Sequence, residues 1–120
     1  MRVLVVDDEF EVCDVTAKML EALGHTAVRC LSGEEALQRM VDDPYDLLIA
    51  DINMPGMNGV DLIATTIALG YLPKRRTVAL TGLDFEHKAV QRLTAEKIFV
   101  LFKPFELSAL RWALEAIAAA

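Results

Sequence analysis

The stretch that decides the fold is Leu47-Leu48-Ile49-Ala50-Asp51, in which four apolar side chains are followed directly by an acid. Similar apolar runs lie on both sides of it along the chain, and each also stops at polar residues. These runs are Val3–Val6 before Asp7 and Asp8, Val78–Leu80 before Thr81, and Ile98–Phe102 before Lys103. Short apolar runs bounded by polar or turn residues predict strands of a parallel sheet that is covered on both faces.

Helix-like stretches separate these runs, and residues 26–31 form a further strand candidate. Ser32 and Glu35 make a capping box at the start of the second helix, and Asp84 is placed to cap the fourth. The resulting string of five strands alternating with five helices predicts an α/β fold, a doubly wound parallel sheet with helices on both faces.

The first helix has apolar residues at three- and four-residue spacing and ends before Gly24, a residue suited to a left-handed cap. Its predicted buried side carries Val12, Val15, Thr16, Met19, Leu20 and Leu23.

Length and composition predict a single domain over residues 1–120, because the chain is 54% hydrophobic and of the usual size for one core. There is no uncharged apolar run of about 18 residues and no secretory signal, so we expect a cytoplasmic protein without a membrane partner. The net charge of −6 argues against direct nucleic-acid binding. Cys13 and Cys30 lack metal-ligand spacing, and we expect reduced, buried thiols.

Two further features concern the surface. The basic triplet Lys74-Arg75-Arg76 precedes a predicted strand and is typical of a solvated loop, with a partner-docking patch as the alternative interpretation. Trp112, in the last helix, is expected to cover the edge of the core.

The polar residues that end the predicted strands are the candidate functional site. Ligands of parallel α/β sheets collect at the carboxyl ends of the strands, so Asp7, Asp8, Asp51, Thr81 and Lys103 should meet in one cluster. Carboxylates that share a few ångströms stay ionised only beside a cation. Oxygen ligands of this kind favour Mg²⁺, which keeps waters and phosphate oxygens in its shell. We therefore expect a magnesium site that also receives a phosphoryl group.

Asp51 is the preferred nucleophile of the cluster, because it is a single acid that ends the most apolar and hence most central strand. Asp7 and Asp8 are then the metal binders. An Asp carboxylate beside a metal, an ammonium and a hydroxyl is well placed to form an aspartyl phosphate. The metal and Lys103 would stabilise the phosphoryl oxygens in the transition state, and the Thr81 hydroxyl would donate to one of them.

The chain resembles the receiver domain of two-component response regulators, and the resemblance covers its whole length. The motifs that carry it are Val5-Val6-Asp7-Asp8-Glu9, Asp51-Ile52-Asn53-Met54-Pro55-Gly56-Met57-Asn58-Gly59, Thr81-Gly82 and Lys103-Pro104-Phe105. The resemblance implies a flavodoxin-like fold with strand order 2-1-3-4-5. It also implies phosphorylation of Asp51 by a histidine kinase or a histidine phosphotransfer protein, and output through a downstream protein target or an attached effector domain.

The same resemblance assigns roles within the site. Asp8, Asp51 and the backbone carbonyl of Asn53 would ligate Mg²⁺, with Asp7 acting largely through water. Thr81 and Lys103 would contact the phosphoryl group, and the Lys103–Pro104 peptide bond would be cis. In this family the protein catalyses only its own phosphorylation and dephosphorylation and is not otherwise an enzyme.

The chain departs from the family pattern at Val100, where an aromatic residue usually stands three positions before the lysine. The side chain of Phe99 points to the opposite face of the strand from that of Val100. Neither Phe99 nor Phe102 is therefore a simple substitute for the usual aromatic residue. This departure leaves open a docking module that keeps the pocket but does not switch. A phosphatase of the haloacid dehalogenase type is a second alternative, although Asn53 stands where such enzymes usually carry a second Asp.

Overall fold

A computed structural model describes residues 1–83 and 86–119 of the chain, and within them five strands alternate with five helices. The strands are β1 (Arg2–Val6), β2 (Thr26–Cys30), β3 (Leu47–Asp51), β4 (Thr77–Thr81) and β5 (Phe99–Phe102). The helices are α1 (Phe10–Ala22), α2 (Gly33–Asp42), α3 (Gly59–Ala68), α4 (Lys88–Ala95) and α5 (Leu107–Ala119). A 3₁₀ turn, Lys74–Arg76, leads into β4.

The strands form one parallel sheet in the order β2-β1-β3-β4-β5, which confirms the expected flavodoxin-like topology. All five residues of β3 are buried, as its apolar run predicts for a central strand. Successive side chains of a strand point to opposite faces. Leu48 and Ala50 accordingly belong to the core layer that contains Leu62 of α3, whereas Ile49 packs in the layer that contains Leu114 of α5.

Local signals in the sequence set several helix ends. Gly24 follows α1 with φ +89°, the left-handed conformation that glycine adopts without steric cost. The Ser32 side chain accepts a hydrogen bond of 3.1 Å from the Glu35 amide at the start of α2, which confirms the Ser32 half of the predicted capping box. The predicted cap of the fourth helix, Asp84, lies outside the described residues. Helix α4 has its N-cap at His87.

The buried side of α1 differs from the predicted one. It is formed by Cys13, Thr16, Ala17 and Leu20. The prediction was wrong for Val15, which is 52% exposed. The small side chains of Cys13 and Ala17 let the helix approach the sheet closely, so the larger Val12 and Val15 are displaced from the core.

Three smaller expectations are also tested by the structure. Cys13 and Cys30 are buried free cysteines, as predicted. Trp112 does not cover the core edge as expected: it is 65% exposed and contacts Phe99 with a centroid distance of 5.8 Å. Among the described helices, none combines the length and the hydrophobicity that a membrane span requires.

Candidate functional site

An acidic cluster lies at the carboxyl edge of the sheet. Asp7 directly follows β1 and Asp51 ends β3, and these neighbouring strands pair Val6 with Ala50, so the two acids emerge side by side. Asp7, Asp8 and Asp51 each have a carboxylate oxygen within 4.8 Å of the others. Asp7 is 0% and Asp51 4% exposed, whereas Asp8 is exposed to solvent. The structure thus brings Asp51 together with two adjacent acids that lie more than forty positions earlier in the sequence.

Lys103 reaches the same point from the end of β5. Its Nζ donates hydrogen bonds to Asp7 Oδ2 at 2.8 Å and to Asp51 Oδ2 at 2.9 Å. The Lys103 amide donates to the Thr81 carbonyl at 2.7 Å, which ties the residue after β5 to the end of β4. The Lys103–Pro104 peptide bond is cis, as the resemblance implies. One ammonium group is therefore shared between two buried carboxylates.

Backbone amides orient the two buried carboxylates. The amide of Glu9 donates to Asp7 Oδ1 at 3.0 Å, and the amide of Asn53 donates to Asp51 Oδ1 at 2.9 Å. Each acid thus directs one oxygen to the chain two residues ahead and the other to Lys103, the arrangement of an Asx turn with an added ion pair. These contacts hold the Asp51 carboxylate in one orientation.

Burial and the shared ammonium act in opposite directions on the pKa values of the cluster. Burial raises the pKa of Asp7 above its ordinary value, although hydrogen bonds from Lys103 and the Glu9 amide oppose the shift. Burial alone would lower the pKa of Lys103, but its hydrogen bonds to Asp51 and Asp7 prevail and raise it. Lys103 is therefore fully charged at neutral pH. A further cation at this edge would relieve the cost of ionising Asp7.

Thr81, the last residue of β4, is completely buried. Its Oγ1 accepts a hydrogen bond of 2.9 Å from the Leu83 amide, which leaves the hydroxyl proton available for donation. Among the described residues, the Leu83 amide is the hydrogen-bond partner of this hydroxyl. Thr81 therefore lies next to Lys103, but its hydroxyl forms no hydrogen bond with the described acids.

The importance of Gly59, the first residue of α3, was not apparent from the sequence. A Cβ at this position would collide with the Asp51 carbonyl oxygen and would lie 2.6 Å from Ile52 Cα. The Gly59 amide also donates to the Ile52 carbonyl at 3.3 Å. Only a residue without a side chain lets α3 start this close to the end of β3, so Gly59 helps to position Asp51. The sequence does show Gly59 in a loop that contains a second glycine. The spacing of residues, however, does not distinguish a glycine needed for a turn from a glycine needed for close packing.

Strand register clarifies the aromatic residues near Val100. Thr81 pairs with Phe102 across β4 and β5, so these side chains lie on the same face of the sheet, the face on which Val100 packs against the core. Phe102 is 37% exposed. Phe99 packs in the opposite core layer, as its parity predicts. Phe102, the aromatic residue on this face, therefore stands one position before Lys103 in the sequence, whereas the family pattern has its aromatic residue three positions before the lysine.

An apolar groove borders Lys103 on the side of α1. It has a volume of about 480 Å³ and runs between α1 and the residues that follow β5. Its walls include Val12, Val15, Met19, Pro104 and Phe105. The side chains displaced from the buried face of α1 therefore form a surface next to the acidic cluster.

Comparisons with known proteins agree with this geometry. The family model for the response regulator receiver domain matches residues 3–115. The chain is 28% identical to the regulatory protein VanRB of Enterococcus faecalis over 117 residues, which cover 98% of this chain and 52% of VanRB. It is 36% identical over 124 residues to the virulence sensor protein BvgS of Bordetella bronchiseptica, covering 99% of this chain and 10% of BvgS. The structure of the chemotaxis protein CheY4 of Vibrio cholerae superposes with a TM-score of 0.83 at 27% identity and 97% coverage of both chains.

The chain thus spans about half the length of VanRB and a tenth of BvgS. Receiver domains are signalling domains of two-component systems rather than classical enzymes. With a family match across most of its length and the same fold as CheY4, the chain belongs to the response regulator receiver domain family.

Proposed function

We propose that this receiver domain accepts a phosphoryl group on Asp51 and thereby changes its affinity for a partner. The observation that carries the proposal is the setting of the Asp51 carboxylate, which is 4% exposed and hydrogen-bonded to Lys103 Nζ at 2.9 Å and to the Asn53 amide at 2.9 Å. Fixed orientation and a neighbouring positive charge are what a carboxylate nucleophile needs to approach an anionic phosphoryl group.

The donor set of the acidic cluster fits Mg²⁺. Its ligands would be the Asp8 and Asp51 carboxylates and the Asn53 carbonyl, with Asp7 acting through water. Two oxygens bound to one octahedral Mg²⁺ at about 2.1 Å lie about 3 to 4.2 Å apart. The carboxylate oxygens within 4.8 Å of one another need only a small adjustment to meet this requirement. When bound, Mg²⁺ would supply positive charge opposite the phosphoryl oxygens.

The chain's own residues supply the remaining chemistry. A carboxylate oxygen of Asp51 forms a bond to phosphorus while the bond from phosphorus to the donor breaks, and the donor leaves with the bonding electrons. The Lys103 ammonium turns part of its hydrogen bonding from the acids to a phosphoryl oxygen. The Thr81 hydroxyl, whose proton has no acceptor among the described residues, donates to another phosphoryl oxygen.

The proposed phosphodonor is a histidine kinase or a histidine phosphotransfer protein. Such a partner must bring its phosphohistidine to Asp51 and therefore must cover the carboxyl edge of the sheet. The apolar groove beside Lys103, together with exposed Phe10 and Val15, offers a surface for that contact. The output would be a downstream protein or an attached effector domain.

The direct test is incubation with acetyl phosphate and Mg²⁺, followed by intact-mass spectrometry. We expect the wild type to gain one phosphoryl group and Asp51→Asn to gain none, because an amide is not a nucleophile here. Asp42→Asn, which removes an exposed acid with the same change in charge, should behave like the wild type. Equal labelling of Asp51→Asn, or no labelling of the wild type, would refute the proposal.

A further inference from the structure

A second distinctive surface lies at the amino ends of β4 and β5. These strands are parallel and pair Val78 with Phe99, so the residues that precede each strand lie beside each other. Arg75, from the 3₁₀ turn, and Lys97, which precedes β5, line one cavity of about 150 Å³. The cavity is completed by Thr77, Phe99, Ala116 and Ile117. Arg75 of the basic triplet and the distant Lys97 thus line the same cavity.

The cations of this surface form no ion pairs in the described part of the chain. Lys74, Arg75 and Lys97 are exposed, and within residues 1–83 and 86–119 none of their side-chain nitrogens lies within 4.0 Å of a carboxylate oxygen. Of the nine basic side chains elsewhere, five form such pairs, namely Arg2, Lys18, Arg29, Arg92 and Lys103. What sets this surface apart is that Arg75 and Lys97, from separate elements, line one cavity. The chain has a net charge of −6, so these three unpaired cations form a positively charged patch on a negatively charged protein.

An aromatic surface adjoins these cations. The Phe99 ring, which lines the cavity, contacts the Trp112 ring at a centroid distance of 5.8 Å and an interplanar angle of 53°. Trp112 is 65% exposed, so the apolar wall of the cavity continues to the outside of α5. Exposed Trp and Arg residues are enriched in protein–protein contact sites.

We propose that this basic aromatic surface, defined by Lys74, Arg75, Lys97, Phe99 and Trp112, binds an acidic segment of a partner protein. The segment would place one apolar side chain in the cavity and pair its carboxylates with the surrounding cations. A cavity on the order of 150 Å³ is large enough for a benzene ring. Charge-assisted hydrogen bonds to Arg and Lys then give the contact its selectivity for acidic residues.

Two physical arguments favour an acidic protein segment over a nucleic acid. Nucleic-acid affinity grows with the number of phosphates neutralised, and three cations are few for this purpose. The chain as a whole is negative and repels a long polyanion, whereas a short segment meets mainly the local positive field. The surface also lies at the end of β5 opposite to Lys103, so the inference does not depend on phosphorylation of Asp51.

Trp112 provides a direct readout, because it is the only tryptophan of the chain. The probe is a seven-residue synthetic peptide with a central Phe flanked on each side by three alternating Glu and Asp residues. We expect a saturable change in Trp112 emission on titration. A peptide with Ser in place of Phe should bind about tenfold more weakly, the loss of one buried anchor.

Variants distinguish this site from general charge attraction. Arg75→Glu and Lys97→Glu should each weaken peptide binding about tenfold, whereas Lys88→Glu, an equal charge change on exposed α4, should leave binding within about twofold of the wild type. Circular dichroism checks the fold, and amide NMR shifts near Ala116 give a readout independent of fluorescence. The proposal is overturned by no saturable change at millimolar peptide, by equal losses in all three variants, or by tighter binding of a single-stranded oligonucleotide of the same charge.

Discussion

Asp7 is a residue of the acidic cluster that lowers the stability of the folded domain. It is completely buried, and burial raises its pKa above the ordinary 3.8 even though Lys103 Nζ lies 2.8 Å from its carboxylate. Because the pKa is raised on folding, this group adds stability below pH 3.8 and loses that contribution as the pH rises through its folded pKa. At neutral pH and without a divalent ion, burial of Asp7 is therefore a net cost to the folded state.

We predict that Asp7→Asn raises the melting temperature at pH 7 by a few degrees when divalent ions are chelated. The amide keeps the size of the carboxylate but has no charge to bury, and Asp51 remains as a partner for Lys103. Calorimetry between pH 3 and 7 should show the advantage of the variant growing as the pH rises from about 4. A variant that is less stable than the wild type at every pH would contradict this account.

The junction of β3 and α3 is the structural element that orients the proposed phosphoacceptor. We predict that Gly59→Ala lowers the free energy of unfolding by about 1 to 3 kcal/mol, the usual range for overpacking, because its Cβ would press on the backbone of Asp51 and Ile52. Gly82→Ala is the matched control, since, apart from its chain neighbours, no heavy atom of the described residues lies within 4 Å of a Cβ there. Urea unfolding of both variants provides the measurement. Equal stability of the two variants would contradict the prediction, because it would show that the backbone at the junction accommodates the added Cβ without loss of stability.

Strand β5 is where the chain departs from the family pattern, and it offers a test of switching. Since Phe102 pairs with Thr81, movement of Thr81 toward a phosphoryl mimic should alter the packing of this ring. We predict that beryllofluoride changes amide hydrogen exchange in α4 and β5 of the wild type, and that Phe102→Ala reduces this change while still binding beryllofluoride.

Phe10→Ala, which removes another exposed aromatic side chain, is the control and should respond like the wild type. Binding of beryllofluoride is followed separately by the increase in melting temperature. A wild type that binds beryllofluoride without any change in exchange would favour the alternative of a docking module that does not switch.

At the scale of the whole molecule, the strand ends were the informative part of the sequence. The apolar runs before Asp7 and Asp51 predicted both the sheet and the meeting of these acids with Lys103, because parallel strands bring their carboxyl ends to one edge. Spacing did not predict the rotation of α1, because Val15 and Cys13 are both acceptable in a helix core and only packing against the sheet decides between them. The strand order came from the family resemblance rather than from periodicity.

The meeting of Arg75 and Lys97 at one cavity was also beyond sequence reasoning. Arg75 and Lys97 are 22 positions apart, and they meet only because β4 and β5 are neighbours in register at their amino ends. A charge run in the sequence does not reveal whether other elements supply acids to neutralise it. The structure shows that, for these two cations, the described elements supply none within 4.0 Å.

The stability of the whole domain should depend on Mg²⁺, because an ion that binds the folded acidic cluster has no preformed site in the unfolded chain. Ligand linkage predicts a gain of about 1.4 kcal/mol at a Mg²⁺ concentration about ten times the dissociation constant. For a domain of this size the gain corresponds to an increase of about 3 to 6 °C in the melting temperature. Scanning calorimetry over a Mg²⁺ series, with NaCl added to equal ionic strength, measures the effect.

A variant of Asp8 distinguishes specific Mg²⁺ binding from general charge screening in that experiment. It is the exposed acid of the cluster, so Asp8→Asn should fold normally yet lose most of the Mg²⁺-dependent gain. Asp42→Asn changes the net charge equally on an exposed part of α2 and should keep the gain. Because screening by a divalent ion responds to net charge and not to position, equal gains in the two variants would show that Mg²⁺ acts on the surface as a whole and not at the carboxyl edge of the sheet.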